Sequence, residues 1–189
     1  MDLFDAIRER RAVRDFSDKR VLKSTLMTLL HETVQSPSAV NVQPWAFCII
    51  QDKEMLKRYS DRAKTLMIES SEVRSISEDL HRMLADPVFN IFYNAETLIL
   101  ICAKPQGKHP DWDCCFAAQT LMLAAHGMGL ATCPIGFAWA LMDQSDVRKE
   151  LNIPSGYTPV LPIIVGYPAG KTAPTMRREA DVLCWRGPL

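Results

Sequence analysis

The sequence predicts one compact domain, residues 1–189, in which helices and strands are mixed. Two observations carry that prediction. A chain of 189 residues that is 48% hydrophobic is large enough to bury one sizeable core. Segments with apolar residues at helical spacing are interspersed with short, continuously apolar runs, of which Thr97 to Ala103 (TLILICA) is the clearest. Such a run, with no alternation, reads as a strand buried on both faces.

In chain order, Asp2 caps a short helix with Leu3, Phe4 and Ile7 at helical spacing, and its later turn carries Arg8, Arg10 and Arg11. Complementing a helix dipole explains any one of these cations. Arg10, Arg11 and Arg14 together, the last beyond the helix end, point instead to a bound anion. Val21 to Gln35 places Leu22, Leu26, Leu29, Leu30 and Val34 on one helical face and stops at Ser36 and Pro37. The loop that follows, SPSAVNVQPW from Ser36 to Trp45, has no charged residue but carries hydrogen-bonding groups at Ser36, Ser38, Asn41 and Gln43. A tight turn into a strand over Ala46 to Ile50 accounts for Pro37 and Pro44. It leaves the amides and hydroxyls unexplained, and these suit a neutral polar ring.

Asp52 to Met67 reads as a surface helix, and Glu69 to Phe92, polar and weakly periodic, as a mobile cover. Thr97 to Ala103 is the expected central strand. Pro110 and Asp111 open a segment whose continuation, Asp113 to Met128, is small or apolar almost all round, so it is expected to be buried as the spine of a dimer interface or of the core. Gly127 and Gly129 end it. In Ala131 to Gly136 (ATCPIG), Pro134 and Gly136 offer exposed backbone. Met142 to Leu151 reads as a short amphipathic helix and Asn152 to Tyr157 as a turn. Val160 to Val165 is a strand that Pro162 assigns to an edge or bulge. A tail with Lys171, Arg177, Arg178 and Trp185 follows.

Several function classes are excluded. With 22 Lys+Arg against 22 Asp+Glu, no net field draws the molecule to nucleic acid or an acidic membrane, so an anion site must be local. No apolar run approaches the roughly 20 residues of a membrane span, and the charged N-terminus is unlike a leader, so a cytoplasmic protein is expected. Six scattered cysteines without a CxxC read as reduced thiols, and no metal site is expected. GMGLATCPIG follows a helix and lacks the spacing of a dinucleotide fingerprint. The sequence has no Walker, HExxH or GxSxG pattern, and its four histidines are isolated.

Taken together, RRAVRDF from Arg10, PSAVNVQPW from Pro37, DCCFAAQTLMLAAHGMGLATCPIG from Asp113, PVLPIIVGYPA from Pro159 and MRRE from Met176 resemble the FMN-dependent nitroreductase family. The blocks occur in the family's order and leave only Glu69 to Phe92 outside. The resemblance implies an α+β fold, with a mixed but mainly antiparallel sheet flanked by helices, in an intertwined homodimer with FMN shared between subunits. It implies that Arg10 and Arg11 hold the phosphate and ribityl chain, that Arg177 and Arg178 reach the phosphate from the tail, and that Arg14 faces the pyrimidine edge. Pro37, Ser38, Asn41 and Gln43 are implied to serve the partner subunit's flavin, and Pro134, Ile135 and Gly136 to present backbone near N5 and O4. Ala12 stands where the family often has Ser, removing one hydroxyl from the phosphate. The implied reaction is ping-pong hydride transfer from NADH or NADPH to a nitroaromatic, quinone or activated alkene. Dehalogenation, oxygen-dependent chemistry and a non-catalytic flavin sensor are the alternatives.

Overall fold

The computed structural model describes residues 2–70 and 78–187. Its elements run α1 (Leu3–Glu9), α2 (Lys23–Thr33), a 3-10 turn (Ala39–Asn41), β1 (Trp45–Ile50), α3 (Lys53–Glu69), α4 (Glu78–Ala85), β2 (Thr97–Ala103), α5 (Pro110–Gly127), β3 (Ala131–Pro134), a second 3-10 turn (Gly136–Ala138), α6 (Trp139–Met142), α7 (Ser145–Glu150) and β4 (Thr158–Gly166). The four strands form one sheet in the order β1-β2-β4-β3, and each neighbouring pair is antiparallel.

The unalternating run of β2 has a direct structural cause. Leu98, Leu100 and Cys102 enter a core shared with Leu56, Tyr59 and Ala63 of α3 and with Leu141 and Met142 of α6. Ile99, Ile101 and Ala103 enter a second core with Leu26 and Leu29 of α2 and with Ala117 and Leu121 of α5. Successive side chains point to opposite faces, and both faces are covered, so every position of β2 is apolar or small and buried.

The α+β architecture and its mainly antiparallel sheet agree with the expectation. The parallel component is a single bridge between Ala12 and Thr132. Pro162 lies inside a strand flanked on both sides, not on an edge strand. It is tolerated because β3 ends opposite Ile163, and the Pro162 carbonyl there accepts from the Ile135 N–H at 2.8 Å. The missing donor of Pro162 thus falls where its neighbour has no ladder position to fill. Ala131 to Pro134, which the sequence left without an assigned element, is a strand. The short helix expected over Met142 to Leu151 is α7, which starts only at Ser145 because the chain is extended at Gln144 (ψ 136°), while Met142 closes the preceding α6.

Helix α5 packs Cys114, Ala117, Ala118, Leu121 and Ala125 inward but leaves Trp112 and Phe116 more than half exposed. The expected cover over Glu69 to Phe92 falls partly on residues 71–77, which lie outside the described residues. Within the remainder, Lys64, buried to 6% exposure, donates to the Asp86 and Phe89 carbonyls at 3.1 and 2.7 Å and pairs with Asp61 at 3.2 Å. That lysine fastens the chain after α4 onto α3.

Candidate functional site

The site begins where α1 ends. Arg10 closes the last turn through its N–H to the Ala6 carbonyl at 3.0 Å. The Arg11 guanidinium folds back on the same helix end, donating to the carbonyls of Arg8 and Arg10. The chain then straightens and is stitched to the sheet. Val13 N–H donates to the Thr132 carbonyl at 3.0 Å, Ser17 N–H to Tyr167 at 2.9 Å, and Ala169 N–H to Asp15 at 3.1 Å. Phe16, bridged to Pro168, covers Gly166 so closely that a Cβ there would come within 2.7 Å of the Phe16 ring. Sequence thus becomes geometry: an extended stretch fixed at both ends presents its arginines along β3.

Two clefts flank this stretch. One, of about 490 Å³, is lined by Arg10, Arg11, His126, Thr132 and Lys171 among others. The second, of about 200 Å³, is lined by Arg14, Tyr93 and the run Cys133 to Phe137. Burial, and after it the charges of Arg177 and Arg11, pushes the Arg10 guanidinium below its ordinary pKa. Like charges gathered this closely, in partial burial, favour a bound dianion. Two buried nitrogens on residues of the larger cleft, Arg11 Nε and His126 Nε2, have no hydrogen-bond partner among the described residues. This donor set fits a phosphoryl group.

The smaller cleft has a different character. Arg14 lies over the Tyr93 ring at 5.7 Å from its centroid. Burial raises the pKa of the neighbouring Cys133 thiol, against the opposing influence of Arg14 and Arg10. Pro134 closes β3, and Ile135 and Gly136 follow it directly, so backbone and one cation converge on a small, partly apolar space.

The sequence-predicted residues therefore divide into two groups. Arg10, Arg11, Arg14, Pro134, Ile135 and Gly136 line the paired clefts, and the charge of Arg177 bears on Arg10 from the exposed tail. Ala12 sits between them, bridged to Thr132, and offers no hydroxyl. Arg178 is exposed beside Arg177. Pro37, Ser38, Asn41 and Gln43 line neither cleft. They form a turn in which Ser38 Oγ accepts from the Gln43 N–H and Asn41 Oδ1 from Gln43 Nε2, both at 3.0 Å. Tyr93, His126, Thr132 and Lys171 were not foreseen. Tyr93, His126 and Thr132 carry no local signal and come beside the arginines only through the fold, while Lys171 was noted only as one cation of the tail.

The profile of the nitroreductase family matches residues 7–167. A putative NADH dehydrogenase/NAD(P)H nitroreductase of Methanothermobacter thermautotrophicus is 28% identical over 89% of this chain and 78% of its own length. An iodotyrosine deiodinase of Thermotoga neapolitana is 25% identical over 95% of this chain and 96% of its own. Among solved structures, an FMN-dependent nitroreductase from Clostridium difficile R20291 superposes with a TM-score of 0.79 at 26% identity, covering 98% of each chain.

Proposed function

Since this chain belongs to the nitroreductase family, we propose that it is a cytoplasmic FMN-dependent NAD(P)H oxidoreductase, acting on nitroaromatics, quinones or activated alkenes. The observation that carries the proposal is the pairing of clefts along β3, one cationic and one lined by backbone with a single arginine. FMN has the matching halves, a dianionic phosphate and a planar ring. When bound, it supplies the redox chemistry, accepting hydride from the nicotinamide and passing electrons to the second substrate in ping-pong order.

The residues of the chain bind and polarise. Arg10 and Arg177, with Arg11 and Arg178, hold the phosphate through guanidinium donors. The buried, unpartnered Arg11 Nε is a further donor on that side, and His126 Nε2 is one in its Nε2-protonated tautomer. Arg14 supplies a fixed positive charge at the pyrimidine edge, which favours the more negative reduced ring. Pro134, Ile135 and Gly136 present main-chain groups at the reacting edge, and no side-chain acid or base is required.

The active unit is a homodimer. Leu3, Phe4 and Ile7 on α1 are 63%, 62% and 50% exposed, and Trp112, Phe116, Met176, Leu183 and Trp185 are exposed as well. So much apolar surface on one chain fits a second copy. In that dimer, Pro37, Ser38, Asn41 and Gln43 complete the neighbouring flavin site, consistent with their facing neither cleft of their own chain. The test is reconstitution: purified protein should take up FMN stoichiometrically and be reduced anaerobically by NADH or NADPH. Protein that stays colourless with FMN supplied contradicts the proposal.

A second reading is favoured by one observation, the similarity to an iodotyrosine deiodinase over nearly the whole of both chains. Reduced protein offered 3-iodotyrosine and a nitroaromatic separately decides between them. Iodide release faster than nitro reduction would select dehalogenation.

A further inference from the structure

Asp113, in the first turn of α5, is only 5% exposed. A carboxylate so placed is costly unless partnered. Its described hydrogen bonds come from one loop amide, the Ala39 N–H, which lies 3.2 Å from Oδ1 and 3.4 Å from Oδ2. Ala39 opens the 3-10 turn, and three of the next four residues have left-handed backbones: Val40 (φ 44°), Asn41 (φ 58°) and Gln43 (φ 48°). None is glycine. Left-handed backbone is unfavourable for residues other than glycine, least so for Asn41 and most for a β-branched one such as Val40.

A turn strained at three positions keeps its shape only if its surroundings hold it. Its entry is tied to α5 by the Ser36 Oγ–Thr120 Oγ1 bond at 2.7 Å, and its exit to β2 by the Lys104 N–H to the Pro44 carbonyl at 2.6 Å. Between these ends, the bonds of Ser38, Asn41 and Gln43 stay within the turn. Asp113 is the one described side-chain partner that reaches the strained part from outside it. Yet the turn lines neither cleft of its own chain, and Val40 at its tip is 93% exposed. Neither cleft of this subunit accounts for the strained shape.

We propose that Asp113 is the positioning residue for the flavin site of the neighbouring subunit, its carboxylate holding the 37–43 turn in the shape that presents Ser38, Asn41 and Gln43 across the dimer. The inference rests on the FMN-binding homodimer proposed above. An acidic residue in the first turn of α5 also favours the helix dipole. Asp111, in the same turn and exposed, provides the control for that effect.

The experiment measures FMN affinity of reconstituted protein by quenching of flavin fluorescence, for D113A, D113N and D111A. Asp113→Ala is expected to weaken FMN binding about ten-fold or more, the loss expected for a hydrogen bond to a charged group. Asp113→Asn, which keeps one acceptor, should lose about three-fold, and Asp111→Ala should bind like the parent. A heterodimer is then assembled from differently tagged D113A and R177A chains. One of its sites joins the intact arginines of the D113A chain to the intact turn of the R177A chain, so about half of its sites should recover parental affinity.

Folded D113A binding FMN like the parent would overturn the inference, as would a heterodimer with no recovered site. If D113A fails to fold, parental affinity in D113N overturns it equally. A parent protein that takes up no FMN, or that is monomeric with FMN bound, refutes the underlying reading instead and takes this inference with it.

Discussion

Arg177, on the exposed C-terminal tail, stands close enough to Arg10, at the end of the first helix, that its charge follows only burial in lowering the pKa of Arg10. The two residues come from opposite ends of the chain; Arg10 lines the larger cleft, and Arg177 acts on it from outside that lining. A dianion bound between them, as proposed for the FMN phosphate, would offset their mutual repulsion.

Arg177→Ala should therefore act on binding. Losing a guanidinium from a phosphate costs about 1.5–3 kcal/mol, or roughly ten- to hundred-fold in the Kd for FMN, while the midpoint potential of bound flavin should change little. Arg14→Ala should do the reverse, lowering the potential and slowing reduction by NAD(P)H with a smaller loss of affinity. Fluorescence titration and anaerobic potentiometry on both variants check the division. Equal effects on affinity alone would contradict it.

Gly166→Ala places a Cβ 2.7 Å from the Phe16 ring. The ring must shift, and it is part of the stitching that fixes the arginine stretch to the sheet. A loss of about 1–3 kcal/mol in unfolding free energy is expected from the overpacking, together with weaker FMN uptake. Urea denaturation and flavin titration read the two effects separately.

Lys64→Met removes the donor that satisfies the carbonyls of Asp86 and Phe89. Burying unpaired acceptors costs about 1–3 kcal/mol each. The consequence should extend to the site, because the Phe89 ring meets Tyr93 edge-on at 5.8 Å and Tyr93 lies beneath Arg14. A lowered urea midpoint accompanied by a changed flavin potential is the expected pair of results.

The carboxyl of Asp61 is held below its ordinary pKa by hydrogen bonds from Lys57 and, more weakly, Lys64. A folded-state pKa below the unfolded one gives a contribution fully present above the unfolded value, about 3.9, and lost as pH falls through the depressed folded value. Asp61→Asn should thus lower stability at neutral pH and converge with the parent in strong acid. Denaturation midpoints across the acid range measure this.

Much of this was legible in the residues themselves. The unalternating run of β2 announced a strand covered on both faces, and the arginines singled out at the end of the first helix line the two clefts along β3. Pro162 pointed to an edge or a bulge: its strand is not an edge, but the register of β4 against β2 shifts close by, between Leu161 and Pro159, and β3 stops where the missing donor would need a partner. Strand β3 itself was hidden by its length and its closing proline. Tyr93, His126 and Thr132 carry no local signal of function, since their role arises from the sheet bringing them to Arg10 and Arg14. The charge-free loop was read as unusual in composition, but its left-handed backbone at Val40 and Gln43, beside the more tolerant Asn41, could not be inferred from residue types that ordinarily avoid it.

The central claim, that the clefts along β3 hold FMN for NAD(P)H-driven turnover, is tested most directly by an absorbance spectrum of FMN-reconstituted protein during anaerobic titration with NADH and with NADPH. The account predicts bound oxidised flavin that bleaches within seconds with at least one nicotinamide and regains its spectrum when a quinone or nitroaromatic is added. Protein that binds no flavin, or whose bound flavin neither nicotinamide reduces, would contradict it.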